Sequence, residues 1–368
     1  MHSTKGKTVD NRHIQNIIII RFSSFGDIVL TTPLVRALRT RFPDARIDFV
    51  VKQEFAELLS TNPHLTTVYP FRKKSGVQGL YRFAQDLRRN HYDLCIDIHA
   101  NFRSYLLRCL IRPTYTTTWT RYLLKRLFLV KAGINRYFQI IPVPDRYLHS
   151  VASFGVVNDG KGLEIFPDPQ HETRVQAIFA QACLADQDLA IGFGAVAAHP
   201  LKQWPLEKFI QLGQQLIQRQ NARILLFGGP ADLEQARELA NHLPNHPIVL
   251  CGKLSLLESA AALRRCAVFV GNDTGTVHLA AAMKRPVVVI FGPTVEEFGF
   301  YPYTTRATVI STPLSCRPCT HTGKGRCKIR ETHACMQRIE VTEVLTAVEQ
   351  KLYNITEKTE GLIVSCEA

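Results

Sequence analysis

Residues 268–279 read VFVGNDTGTVHL and mark a place where a buried strand turns directly into a helix. The apolar, β-branched start predicts the strand, and the Gly-Asn-Asp-Thr-Gly run predicts the turn. Asp273 or Thr274 can cap the helix by accepting a hydrogen bond from a backbone N–H group, and Gly275 lets a ligand approach the backbone. The other N–H groups of the first turn favour an anion such as a diphosphate. Taken alone, the turn fits an ordinary strand-to-helix connection equally well.

The whole chain repeats this alternation of short apolar strands and helical segments, which is typical of parallel α/β sheets. Predicted strands cover residues 17–22, 46–51, 94–98, 189–193, 223–227, 248–250, 268–270 and 287–291. Predicted helices cover residues 28–41, 55–60, 77–90, 206–220, 233–243, 256–264, 276–283 and 342–352. We therefore expect an α/β protein of two doubly wound sheets in series, joined within the Gly- and Pro-rich residues 160–169.

Length and composition limit the classes of protein that this sequence can encode. The chain has 368 residues, 46% of them hydrophobic, which fits a folded protein of two domains, predicted at residues 1–165 and 166–368. The net charge of +14 predicts an anionic partner, such as a nucleotide, an acidic lipid surface or a nucleic acid. No apolar run reaches the ~20 residues of a membrane span and no cleavage-type signal is present, so we expect a cytoplasmic protein.

The motif RFSSFGDI, residues 21–28, follows the first predicted strand. Asp27 stands at the start of the next helix, where the helix dipole favours its carboxylate. Two interpretations are open: Asp27 caps the helix, or it is a general base at the mouth of a ligand site. The single glycine in this turn does not make a dinucleotide-binding fingerprint.

Two further turns follow strands of the second series, at the sheet edge where ligands of such folds bind. Residues 199–205, HPLKQWP, hold Lys202 just before a Trp-Pro helix start, either as a charge for a phosphate or as a solvated surface residue. Residues 227–234, FGGPADLE, hold Asp232 and Glu234 at another helix start. There an acidic side chain either caps the helix or binds a pair of ribose hydroxyls.

Four of the ten cysteines lie close together late in the chain, as Cys316, Cys319, Cys327 and Cys335. In a cytosolic protein of this length, cysteines are thiols or metal ligands rather than a disulfide framework. The spacing is compatible with a structural metal site, although it matches no standard zinc finger. The alternative is a cluster of reduced thiols that orders a loop.

Residues 98–144 contain no Asp or Glu, and basic side chains alternate there with apolar and aromatic ones. The basic members are Arg103, Arg108, Arg112, Arg121, Lys125, Arg126, Lys131 and Arg136. This composition fits binding to an anionic membrane surface, and it also fits binding to nucleic acid. The alternative is a set of core-facing helices with solvated basic faces.

Together these motifs resemble those of glycosyltransferase family 9, the ADP-heptose:lipopolysaccharide heptosyltransferases. The resemblance rests on SFGD at residues 24–27, KQWP at 202–205, DTGTVH at 273–278 and the late cysteine loop that ends in Cys335-Met336. It implies a GT-B fold, with two Rossmann-like domains facing across a cleft, the acceptor on the N-terminal domain and the nucleotide sugar on the C-terminal one. The last helix could pack back on either domain.

The resemblance also implies roles for the residues of the motifs. Asp27 is the base that deprotonates the acceptor hydroxyl, and Lys202 steadies the departing diphosphate. The remaining donor-binding residues are Asp273, Thr274, Gly275, Thr276 and His278, with Asp232 or Glu234 at the ribose, and the acceptor-binding residues are Ser24 and Gly26. Arg103 is also expected to bind the acceptor, but it lies in the basic segment, which matches no family motif and fits an enzyme that must reach an anionic lipid acceptor. The transfer inverts the anomeric carbon and requires no metal or other cofactor. Some members carry hydroxyl residues where this chain has Ala197 and Ala198, which puts one phosphate contact in doubt.

The implied activity is transfer of a heptose from ADP-heptose to the inner core of lipopolysaccharide, on a lipid A–Kdo acceptor or in heptosyl extension. The partners are then the nucleotide sugar, an anionic glycolipid and, peripherally, the cytoplasmic face of the inner membrane, but not a nucleic acid. Three alternatives stay open: a relative that uses another nucleotide sugar, a GT-B nucleotide-sugar 2-epimerase, and a non-catalytic binding module. Asp27 disfavours the last of these, because a binding module needs no such carboxylate.

Overall fold

The computed structural model describes residues 13–72, 76–303 and 306–364, with side chains as far as residue 354. By its internal contacts the chain divides into two units. The first consists of Met1–Arg121 and Val143–Gly162, and the second of Tyr122–Pro142 and Leu163–Ala368. The short segment Tyr122–Pro142 thus belongs to the second unit, although it lies between two parts of the first unit in the sequence. The domain limits predicted from the sequence, 1–165 and 166–368, stay a prediction.

The first unit is a parallel sheet of five strands in the order β3-β2-β1-β4-β5. The strands are β1 (Asn16–Ile20), β2 (Arg46–Lys52), β3 (Thr67–Phe71), β4 (Leu94–Asp97) and β5 (Tyr115–Thr118). The helices of the first unit are α1 (Phe25–Val29), α2 (Thr32–Arg41), α3 (Glu57–Ser60), α4 (Gly76–Arg88), α5 (Phe102–Ile111) and α7 (Val143–His149). Helix α6 (Leu123–Ala132) lies between α5 and α7 in the sequence but belongs to the second unit.

The strand order of this sheet reverses between β1 and β4, which are neighbours although two strands separate them in sequence. Four consecutive isoleucines of β1, Ile17–Ile20, are fully buried, as expected for a parallel strand covered on both faces. Ligands of doubly wound sheets bind outside the carboxyl ends of the strands at such a reversal. In this unit α1 and α5 begin at that point.

The second unit is a parallel sheet of six strands in the order β11-β10-β9-β6-β7-β8. Its strands are β6 (Ala190–Gly194), β7 (Arg223–Leu226), β8 (Ile248–Val249), β9 (Val268–Asn272), β10 (Val287–Ile290) and β11 (Ala307–Ile310). Its further helices are α8 (Pro169–Gln181), α9 (Leu206–Gln220), α10 (Leu233–Asn241), α11 (Leu256–Arg264), α12 (Gly275–Ala282), α13 (Ala334–Gln337) and α14 (Val341–Val364). Here the order reverses between β6 and β9, which is the doubly wound arrangement of a nucleotide-binding sheet.

The last helix packs on the second sheet. α14 contacts α9 and the strands β9 to β11, and Val344 and Val348 from its first half are fully buried in that core. Trp204 lies in the same core with no exposed surface, and its indole N–H donates to the carbonyl of Ile339 at 3.1 Å. That the last helix could also pack back on the first unit stays a prediction.

The predicted α/β class is confirmed, and the elements that differ from prediction do so for local reasons. The predicted helix 28–41 is two helices, because Pro33 lacks an N–H group and starts α2 anew. Strands β3, β5 and β11 lie at sheet edges and were not predicted, since a short edge strand such as β5 is polar and mostly exposed. Among the residues that the structure describes, no helix combines the length and apolar composition that crossing a bilayer requires.

Candidate functional site

Asp27 is held by the turn that joins β1 to α1. Its Oδ2 atom accepts hydrogen bonds from the backbone N–H of Ser24 at 2.9 Å and from the Ser24 hydroxyl at 2.7 Å. Its Oδ1 atom pairs with a guanidinium nitrogen of Arg21 at 2.7 Å. Asp27 therefore caps the helix, which is one of the two interpretations drawn from the sequence, and 17% of its side chain stays exposed. Its role as a general base stays a prediction.

Arg21 fixes the charge of this carboxylate. Its side chain is only 8% exposed, its Nη1 donates to the carbonyl of Ile98 at 2.6 Å, and its guanidinium lies over the rings of Trp119 and Tyr147. Burial raises the pKa of Asp27, but Arg21 and the two Ser24 donors outweigh burial and hold that pKa below its usual range. Asp27 is therefore ionised at neutral pH and fixed in orientation.

The neighbouring strand end contributes a second group of side chains to the same edge. After β4, one carboxylate oxygen of Asp97 accepts the backbone N–H groups of His99 at 3.1 Å and Ala100 at 2.8 Å. Burial, with Arg21 nearby, lowers the pKa of His99 to about 4, so its imidazole is neutral at pH 7. Arg103 follows in the first turn of α5. The predicted acceptor residues of α1 and Arg103 thus share one edge of the sheet.

In the second unit, Lys202 and Asp273 form an ion pair across the reversal point. Lys202 ends a short 3₁₀ helix, Pro200–Lys202, that follows β6, and Asp273 follows β9 directly. The ammonium lies 2.5 Å from Asp273 Oδ2 and 3.2 Å from the Asp273 carbonyl oxygen. The hydroxyl of Thr294, beyond β10, donates to the same Oδ2 at 2.9 Å. Three adjacent strand ends therefore converge on one carboxylate.

The backbone around this pair is locked by Asn272. Its side-chain carbonyl accepts the backbone N–H of Trp204 at 2.9 Å, and its amide donates to the carbonyl of Ala195 at 2.8 Å. Asn272 has no exposed surface, so these bonds replace contacts with water that burial removes. The Lys-Gln-Trp-Pro turn is thereby tied to the strand that carries Asp273.

The first turn of α12 has the properties of an anion site. Thr274 is the N-cap in an extended conformation, and its side chain makes no capping hydrogen bond. Thr274, Gly275 and Thr276 are partly exposed, so an anion can approach the positive end of the dipole of this eight-residue helix. His278 differs: it is 5% exposed and lies on the buried side of the helix.

Comparison with known proteins decides the family. A model of glycosyltransferase family 9 (heptosyltransferase) matches residues 80–329. The chain belongs to glycosyltransferase family 9. The lipooligosaccharide heptosyltransferase 2 of Haemophilus ducreyi is 30% identical to it over 301 residues, which cover 77% of this chain and 84% of that protein.

Solved structures of the family share the fold of this glycosyltransferase. A glycosyltransferase family 9 protein from Veillonella parvula DSM 2008 matches with a TM-score of 0.79 and 25% identity, covering 93% of this chain and 98% of that one. The E. coli ADP-heptose lps heptosyltransferase II matches with a TM-score of 0.71 and 22% identity, covering 93% and 100%. The predicted family, the GT-B fold and the assignment as a glycosyltransferase are confirmed.

The two acidic residues predicted at the ribose have different surroundings in the glycosyltransferase. Asp232 turns back on its own loop, where its Oδ2 accepts the backbone N–H of Gly229 at 2.7 Å. This is the capping interpretation of that motif. Glu234 is exposed in the first turn of α10, beside Arg237 on a shallow hollow of the surface. The ribose role of either residue stays a prediction.

The four late cysteines of this glycosyltransferase are free thiols near one another. Burial, together with the neighbouring thiols, raises the pKa of Cys335 to about 11 and raises that of Cys319. Within the described part of the chain, no group of three or more Cys, His, Asp or Glu side chains is arranged to hold a metal ion. The structure thus gives no support to the predicted metal site at Cys316, Cys319, Cys327 and Cys335.

Arg21, Thr294 and Gly323 are among the residues of the site that were not predicted from the sequence. Arg21 is a charged residue at the end of an apolar run, and Thr294 follows a strand, so the rule that ligand sites gather at strand ends could have indicated both. Gly323 carries no such signal. It has a φ of +88°, and a Cβ atom on it would lie 2.8 Å from Cγ of Lys202.

Proposed function

We propose that this family 9 glycosyltransferase moves a heptose from ADP-heptose to the inner core of lipopolysaccharide. The names of its relatives support the donor and the acceptor class: one is an ADP-heptose heptosyltransferase, and the other acts on lipooligosaccharide. One observation of this chain carries the proposal. The Lys202–Asp273 pair stands at the reversal point of the second sheet, where the uncapped helix α12 also begins.

This arrangement suits the diphosphate of a nucleotide sugar. The departing ADP gains negative charge as the bond between the anomeric carbon and the phosphate oxygen breaks. In our proposal Lys202 and the N–H groups of Thr274, Gly275 and Thr276 bind that charge. Asp273 holds the ammonium in place and accepts from the sugar hydroxyls. Fixed charges aimed at a developing anion supply a large part of the rate of such reactions, and a divalent cation is then not required.

We assign acceptor recognition to the first unit. The ionised Asp27 carboxylate takes the proton of the attacking acceptor hydroxyl as the oxygen bonds to the anomeric carbon, which inverts its configuration. A carboxylate with a lowered pKa is a weak base. It therefore suits a late proton transfer, after bonding to the anomeric carbon has made the acceptor hydroxyl proton acidic. Ser24 and Gly26 shape the turn that carries Asp27, and Arg103 provides a cation for an anionic acceptor.

The remaining details extend the same proposal. His278 supports the donor helix from its buried side, and Asp232 or Glu234 binds the ribose. The acceptor is either lipid A–Kdo or a core that already carries heptose. We further propose that the enzyme works peripherally at the cytoplasmic face of the inner membrane, where such an acceptor is embedded.

The test is a donor and acceptor panel with the purified protein. We expect ADP release from ADP-heptose only when a lipopolysaccharide core acceptor is present, with and without added chelator. Comparison of lipid A–Kdo with a heptosylated core identifies the acceptor. Turnover of a UDP- or GDP-sugar in place of ADP-heptose would overturn the donor assignment. Conversion of a nucleotide sugar without acceptor would instead identify an epimerase.

A further inference from the structure

The segment Tyr122–Pro142, which contains α6, exposes several large apolar side chains. The exposed members are Leu123 (55%), Leu124 (71%), Leu127 (53%), Ile134 (48%), Phe138 (99%) and Ile140 (43%). We call them the α6 surface. Isolated exposed apolar residues are common, but a group of this size within one segment indicates a contact surface.

The helix α6 presents one apolar side outward. At the helical spacing, Leu123, Leu124 and Leu127 fall on one side, and Leu129, only 7% exposed, falls on the opposite side. The basic helix α5 behaves differently, because it buries Leu107 and Ile111 in the first core. Of the two helices, α5 therefore matches the core-facing interpretation of the basic segment, whereas α6 leaves its apolar side uncovered.

Cation–π contacts hold the loop that follows α6 against the helix. The guanidinium of Arg136 lies 4.6 Å from the ring centre of Phe128, and the ammonium of Lys125 lies 4.7 Å from that of Tyr122 and 5.6 Å from that of Phe138. Phe138, almost fully exposed, lies next to the Lys125 ammonium. These contacts connect the loop that carries Phe138 to the helix that carries the exposed leucines.

The segment is attached to the second unit. Lys328 donates from its ammonium to the carbonyl of Val130 at 3.0 Å, and the side-chain amide of Asn135 donates to Glu297 at 3.1 Å. These contacts fix the α6 surface on the same unit as Lys202.

The charges around the α6 surface are all of one sign within its segment. Tyr122–Pro142 contains no acidic residue and carries Lys125, Arg126, Lys131 and Arg136. An apolar helix side bordered by lysine and arginine is the pattern of helices that lie in the headgroup region of anionic bilayers. A surface made for a second protein chain would instead tend to lack lysine near its centre.

We propose that the α6 surface docks the enzyme on an anionic lipid bilayer, with Leu124, Leu127 and Phe138 inserted among the headgroups and the basic side chains paired with lipid phosphates. The proposal rests on the proposed function in one respect, since a glycolipid acceptor gives the enzyme a reason to bind a membrane. It adds the surface that makes the contact, and it puts that surface on the donor unit.

The test is binding to vesicles of phosphatidylethanolamine with and without phosphatidylglycerol. We expect the full chain to cosediment with the anionic vesicles, and less so as salt is raised. The double variant Leu124→Ser with Phe138→Ser should weaken binding about tenfold or more, because both side chains lose their apolar area. The matched control is Val77→Ser with Val157→Ser, two residues of the first unit that are each 76% exposed. It should bind like the wild type.

Activity separates this proposal from the proposed function. The α6 double variant should lose turnover of an acceptor embedded in vesicles and keep turnover of a deacylated, water-soluble acceptor. Unchanged vesicle binding by this variant would overturn the docking surface while leaving heptosyl transfer untouched. Vesicle binding without heptosyl transfer would overturn the function alone. A wild-type oligomer in lipid-free buffer that this variant dissociates would show that a second copy, rather than a bilayer, covers the surface.

Discussion

Each of the two sheets carries an ion pair where its strand order reverses, but the pairs are built differently. Arg21 and Asp27 come from a single strand-to-helix turn, whereas Lys202 and Asp273 join two strand ends that are 71 residues apart. In the first pair the cation is anchored, by Ile98 and two aromatic rings. In the second pair the Asp273 carboxylate is anchored, by the hydroxyl of Thr294 beyond β10.

In the proposed function, this difference assigns a chemical role to one charge of each pair. The guanidinium of Arg21 is buried and already paired, so its effect is to orient the Asp27 carboxylate. The first unit therefore presents an oriented anion. An ammonium has three donors, and the described contacts of Lys202 use only its links to Asp273. The second unit therefore presents a cation. In the proposed function, Asp27 of the first unit is the base and Lys202 of the second unit binds the charge of the departing diphosphate.

Replacing the presented anion should have the largest effect. Asp27→Asn removes the proton acceptor but keeps the side-chain shape, so we expect kcat to fall about a thousandfold while the KM for the donor changes little. Steady-state kinetics with varied donor at saturating acceptor measure both constants.

The variant needs a check on folding, because it leaves Arg21 buried without its partner, at a cost of about 3–5 kcal/mol. The unfolding midpoint and ADP binding report whether the chain remains folded. Ser24→Ala is the control, since it removes one hydrogen bond from Asp27 and leaves the charge in place; a loss of a fewfold is expected. Near-normal kcat in a folded Asp27→Asn enzyme would exclude Asp27 as the base.

Replacing the presented cation should come next. Lys202→Ala removes the charge that binds the diphosphate, so kcat/KM for the donor should fall about a hundredfold and ADP should bind more weakly. Lys208→Ala is the control, because this lysine is similarly buried, at 19% against 15%, and pairs with Glu340. It should cost stability and leave ADP affinity unchanged. Calorimetry of ADP binding to both variants separates these outcomes, and equal losses would argue against Lys202.

The sequence indicated the charged residues Asp27 and Lys202 more clearly than the residues that hold the two ion pairs in place. Asp27, Lys202 and Asp273 each stand in a turn after an apolar strand, a local pattern that can be read directly. Thr294 reaches Asp273 only because β10 lies beside β9, and strand order is a property of the folded sheet. Long-range partners of this kind leave no mark in the local pattern.

The fold shows the same division between local and long-range information. Helices α9 and α11 begin and end where the sequence predicted, because each has an apolar side and clear boundary residues. Strand β5 was missed because its four residues are polar and pair on one side only. The grouping of Tyr122–Pro142 with the second unit depends on contacts with residues such as Lys328, far away in sequence.

Replacing Arg21, the anchored cation of the first unit, should change the pH dependence of kcat/KM. Arg21→Met removes the charge that lowers the pKa of Asp27 and leaves the burial that raises it. The acid limb of the pH profile of kcat/KM should therefore move to higher pH, whereas in the wild type the lowered pKa of Asp27 keeps this limb below the ordinary range of a carboxyl group. Arg21→Lys, which retains a charge, should restore most of the wild-type profile. An unchanged acid limb in Arg21→Met would show that this arginine does not set the charge of Asp27.

The same pair contributes to stability with a defined sign. Because the folded pKa of Asp27 lies below its ordinary value, the ionised pair stabilises the folded state above that ordinary value. The contribution is lost as the pH falls through the lowered pKa. Thermal unfolding of the wild type and Arg21→Met should therefore differ most at neutral pH and converge in acid. A difference that stays constant with pH would assign the loss to packing alone.

The smallest effect on catalysis should come from substitutions in the loop beside Lys202. Two glycines of this loop distinguish displacement of Lys202 from backbone strain. Both Gly323 and Gly325 have positive φ values, +88° and +114°, so alanine strains the backbone at either position. Only at Gly323 would the new Cβ lie within 3.0 Å of Lys202, whereas at Gly325 nothing lies within 4 Å. Gly323→Ala should therefore displace Lys202 and raise the donor KM severalfold, while Gly325→Ala should lower only the unfolding midpoint. Equal KM values in the two variants would mean that backbone strain, and not the position of Lys202, accounts for the change.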